Sequence, residues 1–496
     1  MPVVEFSATV PHPPDVVTAW YDRPASWIRL SPPGLVTVVA GPADGPAPGS
    51  RIRLRLSALL LAGVLPGLPT GQPGHASAPP GMDWQLVRTE RSVAGPLTRT
   101  VDEQVTGPLA SWRHEREITA APAGPATAVR ATTVVDRITF ALPRALRSAE
   151  LAVTRTVRRV QRFRAAQVRD DLDLYARLGG LATAGPARDP LRVVVSGASG
   201  LIGSQVCALL AAGGHHVTRL VRREAAGPDE ITWDPAHGDL DAGALAEADA
   251  VINFSGRTIG TRFTRAAKQE ILASRVDSST TLARAIATAA GSGDGASGGP
   301  AVLVQSSAVG AYGPRRPGEV LTEDSAPGGG FLAEVVRRWE RAAEPAEQAG
   351  VRTVLVRTGT VLSAAGGALA PQLPLFWAGV GGRLGAPDAM VSWIGLDDIA
   401  RMYVHAVLDP DLAGPVNAVA PHPVSQAAFA RTVGNVLHRP AGVPTPAFGP
   451  ALLLGREGAD ELVRTDQEVS CRKAERSGFR FGQPDLASAL HHVLVR

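Results

Sequence analysis

The sequence predicts a doubly wound α/β domain with a parallel sheet, preceded by an α+β unit of helix-grip shape. Three observations carry this expectation. A β-branched apolar run from Leu191 to Ser196 meets glycines at Gly197, Gly200 and Gly203, and an apolar-periodic segment follows (Val206, Leu209, Leu210). From there onward short apolar runs alternate with helical patterns, as strands joined by crossover helices do. Ahead of it, residues 1–180 show strand-like alternation at hairpin distances and then one long helical stretch.

At 496 residues the chain exceeds what a single hydrophobic core serves, so two or three domains are expected. A hydrophobic content of 45% with 19% charged residues describes a folded globular protein. The formal net charge is only +4, and arginines are dense in one run, 155–169. No nucleic-acid motif or aromatic interleaving accompanies that run, so it is expected to be a solvated helix face, with no nucleic-acid partner. Two cysteines, Cys207 and Cys471, cannot build a disulfide framework and fit a reducing cytoplasm. No secretory leader is expected at the N-terminus. The apolar stretch 58–68 holds glycine and proline and is too short for a bilayer, so no membrane span is expected.

The first domain is expected over 1–180. Residues 3–10 alternate as a strand, and 14–21 open a short helix with Asp15 near its first turn. Strand candidates follow at 35–39, 51–56, 84–91, 98–105, 110–119 and 128–140. Residues 145–178 carry apolar side chains at helical spacing, among them Leu151, Val157, Val160, Phe163, Val168, Leu172 and Tyr175. Residues 59–80 are rich in proline and glycine and read as a flexible insertion; 181–190 read as a linker. With this architecture, the phrase VDEQVTGPLASWRH at 101–114 resembles the START-like, polyketide-cyclase-like (SRPBCC) superfamily. The resemblance implies an apolar cavity between sheet and long helix, holding a hydrophobic ligand. The alternative is that Trp84, Trp112, Phe140 and Phe163 simply fill the core.

The second domain is expected over 191–415, with a small C-terminal domain over 416–496. In SGASGLIG at 196–203, Gly197 allows a tight turn, Gly200 lets backbone approach a pyrophosphate, and Gly203 lets the helix pack closely on the strand. Ala198, Ser199, Leu201 and Ile202 complete a turn and helix start that offer N–H groups and a positive dipole end to phosphates. This is the pattern of a dinucleotide-binding Rossmann fold. The next strand ends in Val221, Arg222 and Arg223. An NAD site usually places an acid here for the ribose 2′-hydroxyl, whereas arginine suits a 2′-phosphate, so NADP(H) is the expected cofactor. The alternative is that both arginines cap the strand end in solvent. Residues 249–256 run a strand into a turn whose backbone at Phe254, Ser255 and Gly256 passes the cofactor; Glu270 and Arg275 follow on a helix, facing the nicotinamide or forming a surface pair. A glycine-rich loop is expected at 291–299.

Residues 191–496 resemble an atypical short-chain dehydrogenase group, the epimerase-like family that carries its own small C-terminal domain. The matching phrases are SGASGLIG, INFSG at 252–256, ILASR at 271–275, SSAVGAYG at 306–313, FLAEVVRRWE at 331–340, VRTGTVL at 356–362 and SWIGLDD at 392–398. NAVAP at 417–421 and SGFRF at 477–481 extend the match. The resemblance implies NADP(H) binding, with Arg222, Phe254, Ser255, Glu270, Arg275 and Val361 at cofactor-contact positions and an undefined substrate. It places Ser307 where related dehydrogenases polarise the substrate carbonyl. The partner dyad there is Tyr-x-x-x-Lys, and this chain has none. Its four tyrosines, Tyr21, Tyr175, Tyr312 and Tyr403, are followed four residues on by Ala25, Gly179, Arg316 and Val407. Leu332 and Val336 stand where the dyad belongs, and Gly395 where relatives often carry histidine.

Tyr312 is the substitute proton donor this leaves, with Arg316 nearby to depress its pKa, or else it is the packing aromatic of a Tyr-Gly turn. Asp397 and Asp398 sit near a substrate cleft or open a helix with favourable N-terminal charge. His215 and His216 are adjacent with no ligand-spaced partners, so no metal is expected. Two functions remain compatible. One is an NADP-dependent oxidoreductase or epimerase-like enzyme acting on a small or hydrophobic carbonyl or hydroxyl compound. The other is a non-catalytic NADP(H)-binding module coupled to a ligand-holding START-like domain.

Overall fold

The structure, a computed structural model, describes residues 1–42, 45–57, 82–95, 97–122, 130–180, 189–291, 299–443 and 448–496. The expected insertion 59–80, most of the linker 181–190 and most of the loop 291–299 lie outside the described residues. Contacts divide the chain into two units: Met1–Asp189 with Ala208–Gly214 and Val493–Val495, and Pro190–Cys207 with His215–His492 and Arg496.

In the first unit, seven strands form one antiparallel sheet. They are β1 (Val3–Val10), β2 (Val36–Ala40), β3 (Arg51–Leu56), β4 (Met82–Ala94), β5 (Leu97–Thr106), β6 (Ser111–Ala120) and β7 (Thr132–Ala141), in spatial order β1-β7-β6-β5-β4-β3-β2. Strand β3 shows why the chain pairs this way: Ile52, Leu54 and Leu56 are buried while Arg51 and Arg53 face solvent, a period of two. Strand β4 outruns the expected 84–91, because pairing of Val93 with Thr98 and Ala94 with Leu97 extends the ladder beyond the apolar alternation. Two short helices, α1 (Pro14–Asp22) and α2 (Ser26–Arg29), link β1 to β2, and α1 opens on proline with Asp15 in its first turn.

The long helix α3 (Glu150–Leu178) follows a 3-10 turn at Arg144–Ala149, so it starts later than its apolar spacing predicts. It buries Val157, Phe163, Val168 and Leu172, and ends on Gly179, whose φ of 59° and bond from its N–H to the Tyr175 carbonyl close the last turn.

In the second unit, β8 (Arg192–Ser196), β9 (His216–Val221), β10 (Glu230–Thr232), β11 (Ala250–Asn253), β12 (Val302–Ala308) and β14 (Arg352–Thr358) form a parallel sheet in the order β10-β9-β8-β11-β12-β14. Gly414–Ala418 pairs parallel to β14 at the edge, and β13 (Arg315–Leu321) pairs elsewhere, with Asp466–Val469. Helices α4 (Leu201–Ala212), α5 (Arg265–Gly291) and α6 (Phe331–Arg341) cross from β8 to β9, β11 to β12 and β12 to β14. Strand β11 is buried along its whole length, as a strand covered on both faces must be. Val194, Val251 and Leu303 from the sheet pack with Leu282 and Ile286 of α5. Strand order reverses between β8 and β11, and in such sheets ligands bind outside the carboxyl ends of the strands at that reversal. Among the described residues no helix is long and apolar enough to cross a membrane.

Candidate functional site

The reversal point is built around the glycine turn. Gly197 adopts φ +64°, and a Cβ there would lie 2.8 Å from the carbonyl carbon of Phe254. A Cβ on Gly203 would lie 2.4 Å from the Gly197 carbonyl oxygen, and one on Gly200 3.2 Å from the same atom. The Gly200 N–H donates to that carbonyl at 3.0 Å, closing the turn before α4 begins. Ala198 is half-buried, Ser199 and Gly200 are exposed, and Leu201 and Ile202 start the helix. Side chains at Gly197 and Gly203 would collide with backbone, so the glycines keep the turn tight at the start of α4, a shape that fits a pyrophosphate at a helix N-terminus.

Asn253, at the end of β11, ties the neighbouring strand ends together. The Ser196 hydroxyl donates to Asn253 Oδ1 at 2.5 Å, and the Ser255 N–H donates to the same oxygen at 3.0 Å. Asn253 Nδ2 donates to Ser279 Oγ and Gln305 Oε1, both at 3.0 Å. Ser196, Asn253, Ser279 and Gln305 are fully buried, so every bond is needed where water cannot substitute. Sequence reasoning missed this clasp. Its signal was a polar asparagine at the end of an otherwise apolar strand. Phe254, just beyond it, packs 4.4 Å from the Tyr403 ring, and the Tyr403 hydroxyl bonds Ser306 at 2.9 Å.

The other expected cofactor positions each have contacts of their own. A Cβ on Gly256 would meet the Arg275 guanidinium at 3.2 Å. Arg275 Nη1 donates to the Arg257 and Ile271 carbonyls, and its guanidinium lies 5.0 Å from the centre of the Trp339 ring. Burial pulls the Arg275 pKa down to about 10, which leaves it charged at neutral pH. Glu270 forms an ion pair with Arg257 rather than with Arg275. Val361 lies on the short strand Thr360–Leu362; a Cβ on Gly367 would lie 2.7 Å from its carbonyl oxygen, and one on Gly366 3.4 Å from the Leu201 side chain at the start of α4. At the end of β9, half-buried Val221 is followed by two exposed arginines that differ in one respect. Arg223 is held by Glu230 at 2.6 and 2.8 Å, whereas Arg222 has no hydrogen-bond or ion-pair partner among the described residues.

Ser307 and Tyr312 belong to one polar chain. Ser307 is 4% exposed, and its hydroxyl donates to Glu340 Oε1 at 2.5 Å. Arg357 forks the same carboxylate with two bonds of 2.9 Å and donates from Nη1 to the Tyr312 hydroxyl at 3.1 Å. Tyr312 in turn donates to Asn417 Oδ1 at 2.7 Å. The cation at the Tyr312 hydroxyl is therefore Arg357; Arg316 pairs with Glu319 and meets only the Tyr312 backbone. Burial pushes the Tyr312 pKa up, and Arg357 only partly offsets it, so the expected depression is replaced by a rise. Glu340 and Arg357 escaped sequence reasoning because a helix and a strand distant in sequence bring them together.

Leu332 and Val336, at the dyad positions of α6, are buried and pack near Gly310. Asp397 and Asp398 are also buried and hold the C-terminal tail. Asp398 accepts from Arg401 and from the N–H groups of Gly482 and Gln483, and Asp397 pairs with His492 at 2.9 Å. Among the described residues no cluster of three or more His, Cys, Asp or Glu side chains could hold a metal ion.

The first unit holds a cavity of its own, of about 160 Å³, with Leu54, Trp84 and Trp112 on the sheet side and Val153, Val157 and Val160 on α3. Trp84 and Trp112 meet edge to face at 4.9 Å on its wall, whereas Phe140 and Phe163 are core residues.

The model described as "NAD dependent epimerase/dehydratase family" matches residues 193–419, and "Domain of unknown function (DUF1731)" matches residues 445–493. An epimerase family protein of Mycobacterium bovis is 40% identical over 305 residues, 61% of this chain and 98% of that protein. The Homo sapiens epimerase family protein SDR39U1 is 34% identical over 311 residues, 62% of this chain and 100% of that protein. Among solved structures, the nucleoside-diphosphate sugar epimerase from Corynebacterium glutamicum matches with TM-score 0.73 at 28% identity, over 99% of this chain and 90% of that one. The human SDR39U1 structure (isoform 2) with NADPH matches with TM-score 0.55 at 32% identity, over 61% of this chain and 99% of that one.

Proposed function

This chain belongs to the epimerase family, a group of NAD(P)-dependent proteins of the short-chain dehydrogenase type, and on that premise we propose that it is an NADP(H)-dependent oxidoreductase or epimerase-like enzyme acting on a small or hydrophobic carbonyl or hydroxyl compound. The observation that carries the cofactor assignment is the contrast at the end of β9. Arg223 is engaged by Glu230, and Arg222 is exposed and available to a 2′-phosphate, a charge-assisted contact that NAD does not offer. The NADPH in the human relative's structure supports the same choice.

Gly197 to Gly203 would hold the pyrophosphate. The backbone at Phe254, Ser255 and Gly256, with Glu270, Arg275 and Val361, would line the remainder of the cofactor site. When bound, the cofactor supplies hydride chemistry. Ser307 would orient the substrate oxygen, for which its hydroxyl must turn from Glu340; Tyr312, kept protonated by burial, or water would supply the proton. The START-like reading of the first unit is supported by its seven-stranded antiparallel sheet, its long closing helix and the cavity between them.

A second reading, a non-catalytic NADP(H)-binding module, is favoured by the apolar Leu332 and Val336 at the dyad positions. Ser307→Ala separates the two: loss of carbonyl turnover with NADPH affinity kept supports the enzyme, and turnover in neither form supports the module. The cofactor assignment itself is tested by fluorescence titration of the intact chain with NADPH and NADH. NADPH binding about tenfold or more tighter supports it, equal affinities remove the choice of NADP, and no binding of either removes the site.

A further inference from the structure

Resting on the START-like reading of the first unit, we infer that its cavity takes an amphipathic anion, with an apolar body along the walls and a carboxylate-type head at Arg164 and Gln161 of α3. The walls are aliphatic and aromatic, and the volume of about 160 Å³ is close to that of cavities that accept a benzene ring. A purely apolar ligand would need nothing more. The cavity lining, however, also includes Gln161 and Arg164, one helical turn apart and hence on one face of α3. Gln161 is 2% exposed, and its Oε1 has no hydrogen-bond partner among the described residues. Its amide can rotate to present N–H groups to an anion.

Arg164 has no counter-ion of its own: Asp136 and Asp102 lie near enough to favour its charge, but both are bonded to other side chains. Its one hydrogen bond runs from Nε to the Leu30 carbonyl at 3.1 Å, and it has no ion pair among the described residues. The two neighbouring carboxylates are already taken. Arg88 forks Asp102 at 2.9 and 3.2 Å, while Arg116 and His114 bond Asp136 at 2.8 and 2.7 Å. Burial pulls the His114 pKa down and pushes the Tyr21 pKa up to about 12, so both stay neutral near pH 7. Burial, helped by Arg116, lowers the Arg164 pKa to about 10, which keeps it charged. Three guanidinium groups (Arg88, Arg116, Arg164) thus face two carboxylates (Asp102, Asp136), and the excess positive charge is the one at the cavity. A half-buried cation without a counter-ion of its own is costly, and an anionic head group reduces that cost where an alcohol or an amine does not.

The test is calorimetric titration of the intact chain at pH 7.5 with octanoate, 1-octanol and octylamine. Octanoate is expected to bind one per chain and about tenfold tighter than octanol, with octylamine weakest. Arg164→Met is expected to erase that preference while changing octanol affinity by less than about twofold, and Arg164→Lys to keep part of it. Equal affinity for octanoate and octanol in the unaltered protein overturns the anionic head and leaves the apolar cavity standing. Binding of none of the three overturns the START-like reading itself. The ligand series on the unaltered chain decides even if the methionine variant does not fold.

Discussion

Gly203 stands against the carbonyl oxygen of Gly197 so closely that a single added carbon would approach it to 2.4 Å. The third glycine of the motif is therefore a packing requirement of the turn after β8 against helix α4, present whether or not a nucleotide is bound. Gly197 is pinned on its other side by the Phe254 backbone, so the glycine turn and the loop after β11 form one pressed assembly.

Gly203→Ala forces that assembly apart. The expected cost is about 1–3 kcal/mol, the usual range for overpacking a tight contact. It is read as a lower thermal midpoint, together with weaker NADPH binding because the turn shifts. A variant that melts and binds like the parent would show that the turn yields easily.

Glu340→Gln keeps the shape of the side chain but removes the charge that Arg357 forks and that accepts the Ser307 hydroxyl proton. Leaving Arg357 nearly buried without its counter-ion is expected to cost roughly 3 kcal/mol, measured by urea denaturation. Combining it with Arg357→Met should cost much less than the sum of the two single changes, since the pair is lost only once. Additive costs would mean that the two side chains act separately.

Acid should weaken the first unit in two stages. Burial lowers the His114 pKa, so the unfolded chain takes up that proton first, and stability falls as pH drops below about 6.5. Burial opposes the charge of Asp136, yet Arg116 and His114 outweigh it and hold the carboxyl well below its usual range. Its contribution is complete above the unfolded pKa of about 4 and is lost as pH falls from there through the folded value. Hydrogen exchange at Ile118 and Ile138 follows both stages, and His114→Gln should remove the upper one. Protection that does not change between pH 7 and pH 5 in the parent would contradict the first stage.

Much of this was legible in the sequence, and the reasons differ by region. Strand β3 carries its own answer, because RIRLRL alternates with the pleat. The glycine turn was legible because steric demands leave few residues for Gly197 and Gly203. The start of α3 was not, since the apolar spacing continues through a turn that the backbone winds as a 3-10 helix. The polar chain from Ser307 to Asn417 and the charge imbalance around Arg164 were beyond reach for a different reason. Each depends on pairing between side chains far apart in sequence, and a buried arginine with a partner looks the same in one dimension as one without. That also explains why Arg316, close in sequence, was expected at Tyr312, where Arg357 stands.

The most direct measurement is titration of NADPH and NADH against the parent, Arg222→Ala and Arg223→Ala, at one salt concentration. Arg222→Ala is expected to lose about tenfold or more of the NADPH preference with NADH affinity unchanged, and Arg223→Ala, whose side chain Glu230 already holds, to keep the preference. Equal preferences in all three proteins, or a loss confined to Arg223→Ala, would contradict the role given to Arg222.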